Sequence, residues 1–193
     1  MCQDPSKAYI ATYTGKKFFL LAPRKIDIDI RDIAHSLSLQ CRWTGHVKFH
    51  YSVAQHAFYC SFFGPKEEAL ERLMHDASEA YISDMNRPLK HYTESGAAYM
   101  KVEEPLQHMI YEKFLCKIPE PPSVKVADNL MLFAEKQQLF DAVNFSMSAT
   151  EASLGDKAAD ICIAQWSPEQ AEKAFLRRFE ELYDPRARDS AFD

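Results

Sequence analysis

A chain of 193 residues with a formal net charge of −5 is sized for one domain and lacks the basic surplus of a broad nucleic-acid-binding face. Its hydrophobic content of 47% supplies ample core material and excludes disorder by composition. The start shows no basic segment followed by an apolar run, so no secretory leader is expected. No apolar stretch approaches the ~20 residues that span a bilayer. The expectation is a soluble, cytoplasmic, single-domain protein over residues 1–183, with a mobile tail over 184–193. Cys2, Cys41, Cys60, Cys116 and Cys162 are scattered without a Cys-x-x-Cys pair, which reads as reduced thiols.

Residues 8–21 place two β-prone aromatic runs around Thr14-Gly15 and predict a short hairpin. A helix is expected after Asp29, where Ile30, Ile33, Ala34 and Leu37 repeat at helical spacing, running toward Cys41-Arg42-Trp43 and stopping before Gly45. Ser52 with Gln55 has the form of a capping box opening a helix from about Val53 to Phe63. The next helix is expected from Lys66 to Ser83, with Leu70, Leu73, Ala77 and Ala80 on one face and Pro88 marking the loop beyond. A further helix spans about Ala97 to Leu115, and Ser123 is placed to cap another from Val124 to Val143. Residues 144–166 show no period and read as loop. Ser167-Pro168-Glu169-Gln170 is a strong helix start for a last helix to about Tyr183. The class is mainly α: about six helices and a small N-terminal β-hairpin.

Chemistry concentrates in His56, the dipeptide His75-Asp76, and Asp128, all on predicted helices. Seven His in the chain make one His-Asp dipeptide roughly an even chance, so its context must carry the case. Adjacent helical residues lie about 100° apart, so both side chains can reach one ion beside the helix. Glu79, four residues on, shares the face of His75, and Leu73, Ala77 and Ala80 turn the segment toward the core, where an unpaired charge is costly. The alternative is a buried His–carboxylate hydrogen-bond network. Two imidazoles and two carboxylates suit one divalent transition metal, Mn, Fe, Co, Ni or Zn, without choosing among them. Such a set leaves coordination positions for a water and a substrate oxygen.

The stretches Ile33-Ala34-His35-Ser36-Leu37-Ser38, Cys41-Arg42-Trp43, Tyr51-Ser52-Val53-Ala54-Gln55-His56, Leu73 through Lys90, and Val126-Ala127-Asp128 together resemble the HD-domain phosphohydrolase superfamily. More narrowly they are similar to its small bacterial and phage or prophage 5'-deoxynucleotidases. The likeness spans about residues 8–182. It implies an HD-domain helical bundle around one ion held by His56, His75, Asp76 and Asp128. It also implies removal of the 5'-phosphate from deoxynucleoside monophosphates.

Glu79 and Asp84 complete a His-Asp-x-x-Glu-x-x-x-x-Asp pattern whose family counterparts are catalytic, one positioning the water and the other relaying a proton. Glu79 equally suits a purely supporting role as acceptor for His75. The resemblance puts Arg42 and Trp43 at the border of the nucleotide site, as phosphate grip and sugar or base platform. Alone, such a pair more often forms a surface salt bridge and a core aromatic. Lys90 and Arg87 follow the catalytic segment and could meet phosphates. His46 and His50 crowd the approach to His56, while His35, His91 and His108 read as solvent-facing or satisfied residues. The rival activities are a deoxynucleoside triphosphate triphosphohydrolase (dATPase-like), a cyclic-nucleotide phosphodiesterase, and a non-catalytic nucleotide sensor. The expected partner is a small-molecule deoxynucleotide, with no nucleic acid polymer and no membrane; self-association into a homo-oligomer is implied by resemblance only.

Overall fold

The computed structural model describes residues 7–141, 158 and 160–184. It is mainly helical, with one small antiparallel hairpin of β1 (Ile10–Ala11) and β2 (Lys17–Phe18) in the register Ile10↔Phe18. Gly15 takes φ +80 in the turn, a left-handed conformation open to glycine at no steric cost. Thr14 anchors the turn to the first helix: its backbone N–H and its hydroxyl both donate to the buried Asp32 carboxylate, at 2.7 and 3.0 Å.

That helix, α1 (Ile30–Leu39), opens on Asp29, whose carboxylate accepts from the Arg31 N–H. It ends earlier than its apolar spacing suggests, before Cys41. Residues Arg42–Gly45 instead form a tight turn with Trp43 and Thr44 at positive φ, 57 and 53. A β-branched residue held there is strained. Helix α2 (Val53–Cys60) is capped by Ser52, which accepts from the Gln55 N–H. The reciprocal half of the expected box is absent, because the Gln55 side chain donates to the Ala164 carbonyl at 2.7 Å instead.

The single helix expected over 66–83 is broken. Helix α3 (Ala69–Met74) ends at His75, and α4 (Glu79–Ile82) starts after a tightened turn. Within it Ala77, Glu79 and Ala80 donate to the carbonyls three residues back, not four. Pro88 does not mark a loop: it lies in the first turn of α5 (Arg87–Tyr92), where its missing N–H costs nothing. Helix α6 (Glu94–Lys113) follows at once, capped by Thr93. A Cβ at Gly96 would come within 2.2 Å of the Lys90 carbonyl, so the α5–α6 corner needs glycine there. Helix α7 (Pro122–Gln138) starts one residue before Ser123. The Ser123 hydroxyl is no cap; it accepts from Arg72 at 3.1 Å. The end expected for this helix, Val143, lies outside the described residues, as do Cys2, most of 144–166 and the tail beyond Asp184. The last helix, α8 (Pro168–Leu182), carries the full capping box between Ser167 and Gln170.

Two apolar clusters flank α2. Val53, Ala54 and Ala57 join the larger one with Ile33, Leu37, Leu73, Ile110 and Phe175, and Phe18 of the hairpin closes it by stacking on Tyr81. Tyr51 and Cys60 belong to the second with Ala127, Leu130, Met131 and Ala134 of α7. Arg72, almost wholly buried, ties the layers: it donates to the carbonyls of Cys60, Ser61 and Pro65 and to Ser123. Among the described residues no helix is long and apolar enough to cross a membrane.

Candidate metal centre

Helix α2 supplies His56 with no solvent exposure, on the side that looks across to α7 and to the turn after α3. Its Nδ1 lies 2.6 Å from Oε1 of Glu135. A carboxylate there accepts, so Nδ1 carries the proton and the lone pair of a neutral ring sits on Nε2. His75 repeats the device: its Nδ1 donates to the Arg72 carbonyl at 2.8 Å. Its buried Nε2 has no hydrogen-bond partner, although the Asp76 Oδ2 is 3.0 Å away. Both imidazoles are therefore oriented as metal-binding histidines are, one nitrogen engaged and the other presented.

The carboxylates meet these nitrogens from two directions. Nε2 of His56 is 3.4 Å from Asp128 Oδ1 and 3.9 Å from Asp76 Oδ2. The break between α3 and α4 swings Asp76 toward α2, and Asp128 reaches inward from α7. The four residues singled out in the sequence are thus brought together. Cys60, expected only to be a reduced thiol, joins them: ligand atoms of His56, Cys60 and His75 lie within 4.8 Å of one another, a cluster that could hold a metal ion.

The sequence reading missed Glu135. Fully buried on α7, it accepts from His56, from Trp43 Nε1 at 2.8 Å and from Arg42 Nε at 3.3 Å. It stands seven residues after Asp128, two turns along one face; an acid continuing the stripe of Asp128 was the available signal. Arg42 also approaches Asp76 at 3.7 Å. The strained turn thus aims Arg42 and Trp43 inward together, with Trp43 edge-on to Phe140. Lys90 is held by Glu103 and lies over the Tyr99 ring. Of the other histidines, His50 donates to the Ser38 carbonyl at 3.0 Å, and His35 pairs with Glu172 under Tyr13.

The charges in the cluster are strongly coupled. Burial by itself would lower the His75 pKa, but the neighbouring Asp76 carboxylate holds it up at about 10. Asp76 and Asp128 are kept below the usual carboxylate range, since their imidazole neighbours outweigh burial. Glu79 moves the other way: burial, then the charges of Asp76 and Asp84, push it well up, and its Oε2 is buried without a partner. Burial raises Asp84 too.

These raised values set the pH response of the metal-free protein. A folded-state pKa of about 10 against an ordinary 6.5 means that protonated His75 contributes stability fully below pH 6.5. That contribution is lost as pH rises through 10. His56, Glu79 and Asp84, also raised, act in the same direction. Urea midpoints of metal-free protein are therefore expected to fall steadily above pH 6.5. With a metal loaded the fall should shrink or reverse, because coordination needs an unprotonated Nε2. A metal-free midpoint that climbs over this range would contradict the assignment.

A cavity of about 590 Å³ opens onto the cluster, lined by His75, Asp76 and Asp128 on one side and by Lys90, Glu103, Gln107, Glu120 and Lys125 around it. Lys125 is paired with Asp128 at 2.6 Å.

Fold and site together define a helical protein with a buried imidazole–thiol–carboxylate cluster at the floor of a cavity. The chain is 38% identical over 185 residues to the uncharacterized protein YfdR of Escherichia coli strain K12, covering 93% of this chain and 98% of that one. It belongs to the same family as YfdR. An uncharacterized protein of Rhodobacter capsulatus is 28% identical over 146 residues, 69% of this chain and 74% of the relative. No family model matches the sequence.

Proposed function

We propose that the chain is an HD-type metal-dependent phosphohydrolase that removes the 5'-phosphate from deoxynucleoside monophosphates. The observation that carries this reading is the pair of imidazoles whose Nδ1 protons are engaged by Glu135 and Arg72. Their remaining nitrogens converge with Asp76 and Asp128 at a cavity wall. His56, His75, Asp76 and Asp128 would hold the ion. A divalent transition metal bound there supplies a Lewis acid that polarises a phosphoryl oxygen and acidifies a water.

The surrounding residues divide the rest of the work. Water attacks phosphorus, the bond to the 5'-oxygen breaks, and that oxygen needs a proton. Glu79, kept protonated by burial and by Asp76 and Asp84, is suited to give it. Asp84 lies close enough to feel the same charges and can orient the water. Arg42, beside Asp76, offsets charge developing on the phosphate. Glu79→Gln is expected to lower kcat by roughly 10²–10⁴-fold on a deoxynucleotide with metal content unchanged. Little of that loss should appear on an aryl phosphate whose leaving oxygen needs no proton. An equal loss on both substrates would remove Glu79 from the donor role.

The lining favours monophosphates over triphosphates. Its two lysines are each already neutralised, Lys90 by Glu103 and Lys125 by Asp128. Glu104 and Glu120 add further negative charge to the wall. The test is a product assay with Mn²⁺- or Co²⁺-loaded protein against every deoxynucleoside mono- and triphosphate, read by chromatography. Nucleoside plus free phosphate from monophosphates alone supports the proposal. Intact triphosphate released from a triphosphate would make the chain a triphosphohydrolase instead, and binding without turnover would make it a sensor.

A further inference from the structure

Cys60 is the chemically distinctive group near the site that the proposed reaction leaves unused. It follows His56 by four residues on α2, so both side chains leave the same helix face one turn apart. The thiol is fully buried, and its S–H donates at 3.4 Å to Nε2 of His56, the nitrogen that the Glu135 contact leaves as the ring's acceptor. Sulfur and nitrogen bound to one ion, with bonds of about 2.3 and 2.0–2.1 Å, stand about 3.1–3.6 Å apart as the angle between them runs from octahedral to tetrahedral. The observed separation matches that spacing.

A second, independent observation points to the same spot. The His75 side chain is only 8% exposed. Its Nε2 lacks a hydrogen-bond partner, and one of its ring nitrogens lies within 4.8 Å of the His56 and Cys60 ligand atoms. The backbone around the thiol is fixed as well, since the buried Arg72 guanidinium grips the Cys60 carbonyl at 3.1 Å. The same arginine's own carbonyl holds His75. One residue thus sets the positions of two prospective ligands, one on α2 and one in the turn after α3.

We propose that Cys60 is a thiolate ligand to the ion held by His56 and His75, so that the centre selects thiophilic divalent ions such as Zn²⁺ or Co²⁺ over Mn²⁺ and Mg²⁺. This rests on the metal-centre reading above and adds the identity of the metal class. On coordination the Sγ–metal bond forms as the thiol proton passes to solvent, with no change of oxidation state. Soft sulfur favours the thiophilic ions, whereas a set limited to imidazole and carboxylate leaves the choice open.

The test is the absorption spectrum of the whole chain loaded with Co²⁺ under reducing conditions. A sulfur-to-cobalt charge-transfer band in the near ultraviolet is expected beside the weaker visible d–d bands. In Cys60→Ser the d–d bands should persist and the charge-transfer band vanish. The preference for Zn²⁺ over Mn²⁺ in competitive titration should fall by roughly 10–100-fold. Persistence of the band when Cys2, Cys41, Cys116 and Cys162 are replaced singly by Ser assigns it to Cys60 even if the Cys60 variant fails to fold. Bound Co²⁺ with d–d bands and no charge-transfer band in the unaltered chain overturns the thiolate ligand while leaving the metal centre standing. No Co²⁺ uptake at all overturns both.

Discussion

Replacing Asp76 by alanine is expected to abolish metal binding and to cut turnover of deoxynucleotides by about 10³-fold, the several kcal/mol that Lewis-acid catalysis contributes at tenfold per 1.36 kcal/mol. The carboxylate stands 3.0 Å from Nε2 of His75, 3.9 Å from Nε2 of His56 and 3.7 Å from Arg42, so it faces both imidazoles and the guanidinium at once. Helix content should be nearly unchanged. Asp76 lies in the turn between α3 and α4, where its carbonyl, which the substitution keeps, accepts from the Glu79 N–H at 3.1 Å. Metal analysis, circular dichroism and the product assay on one preparation check all three statements. Full turnover by a metal-free Asp76→Ala protein would sink the metal-dependent mechanism.

Glu135→Ala should produce the largest loss of stability among substitutions near the cluster, about 3–5 kcal/mol, because removing one partner leaves buried charge uncompensated. Glu135 has no exposure and serves three donors, His56, Trp43 and Arg42. Without it the ion pair left to Arg42 among the described residues is the longer one to Asp76, at 3.7 Å. Glu135→Gln separates this structural duty from a positioning one. The amide keeps the volume and one acceptor oxygen but not the charge that favours the Nδ1-protonated ring of His56. Metal affinity should drop about 10–100-fold, the usual cost of losing the group that orients a metal-bound histidine. Urea denaturation and competitive metal titration read the two effects apart. Unchanged affinity in the glutamine variant would reduce Glu135 to a counter-ion for Arg42.

Both predictions concern residues that differ in how visible they are along the chain. His75-Asp76 is visible along the chain as a dipeptide in an apolar context, but the single helix expected to carry it is broken. The expected geometry, two side chains about 100° apart on one helix with Glu79 a turn later, is replaced by a tightened turn. Its effect is to bring Asp76 within reach of α2. Glu135 offered only an acid two turns from Asp128, and Cys60 only the four-residue spacing from His56; each becomes meaningful when α2 and α7 pack together. Ser123 shows the opposite failure. It has the right chemistry for a cap, yet the buried Arg72 competes for its hydroxyl and the helix starts without it.

What the amino-acid sequence determined by itself is whatever rests on neighbours within a turn or two. The hairpin around Gly15, the Asp29 and Ser52 caps, the Ser167–Gln170 box and the mainly helical class are of this kind. Backbone dihedrals and the first orphan N–H groups of a helix answer to local side chains. Tertiary structure alone decided where α3 stops, which partner Gln55 and Ser123 choose, and which polar groups share the interior. Those choices minimise the cost of buried charge and unpaired donors across elements distant in sequence. Glu135 is bonded to residues 79 and 92 or more positions away, and no local pattern records that.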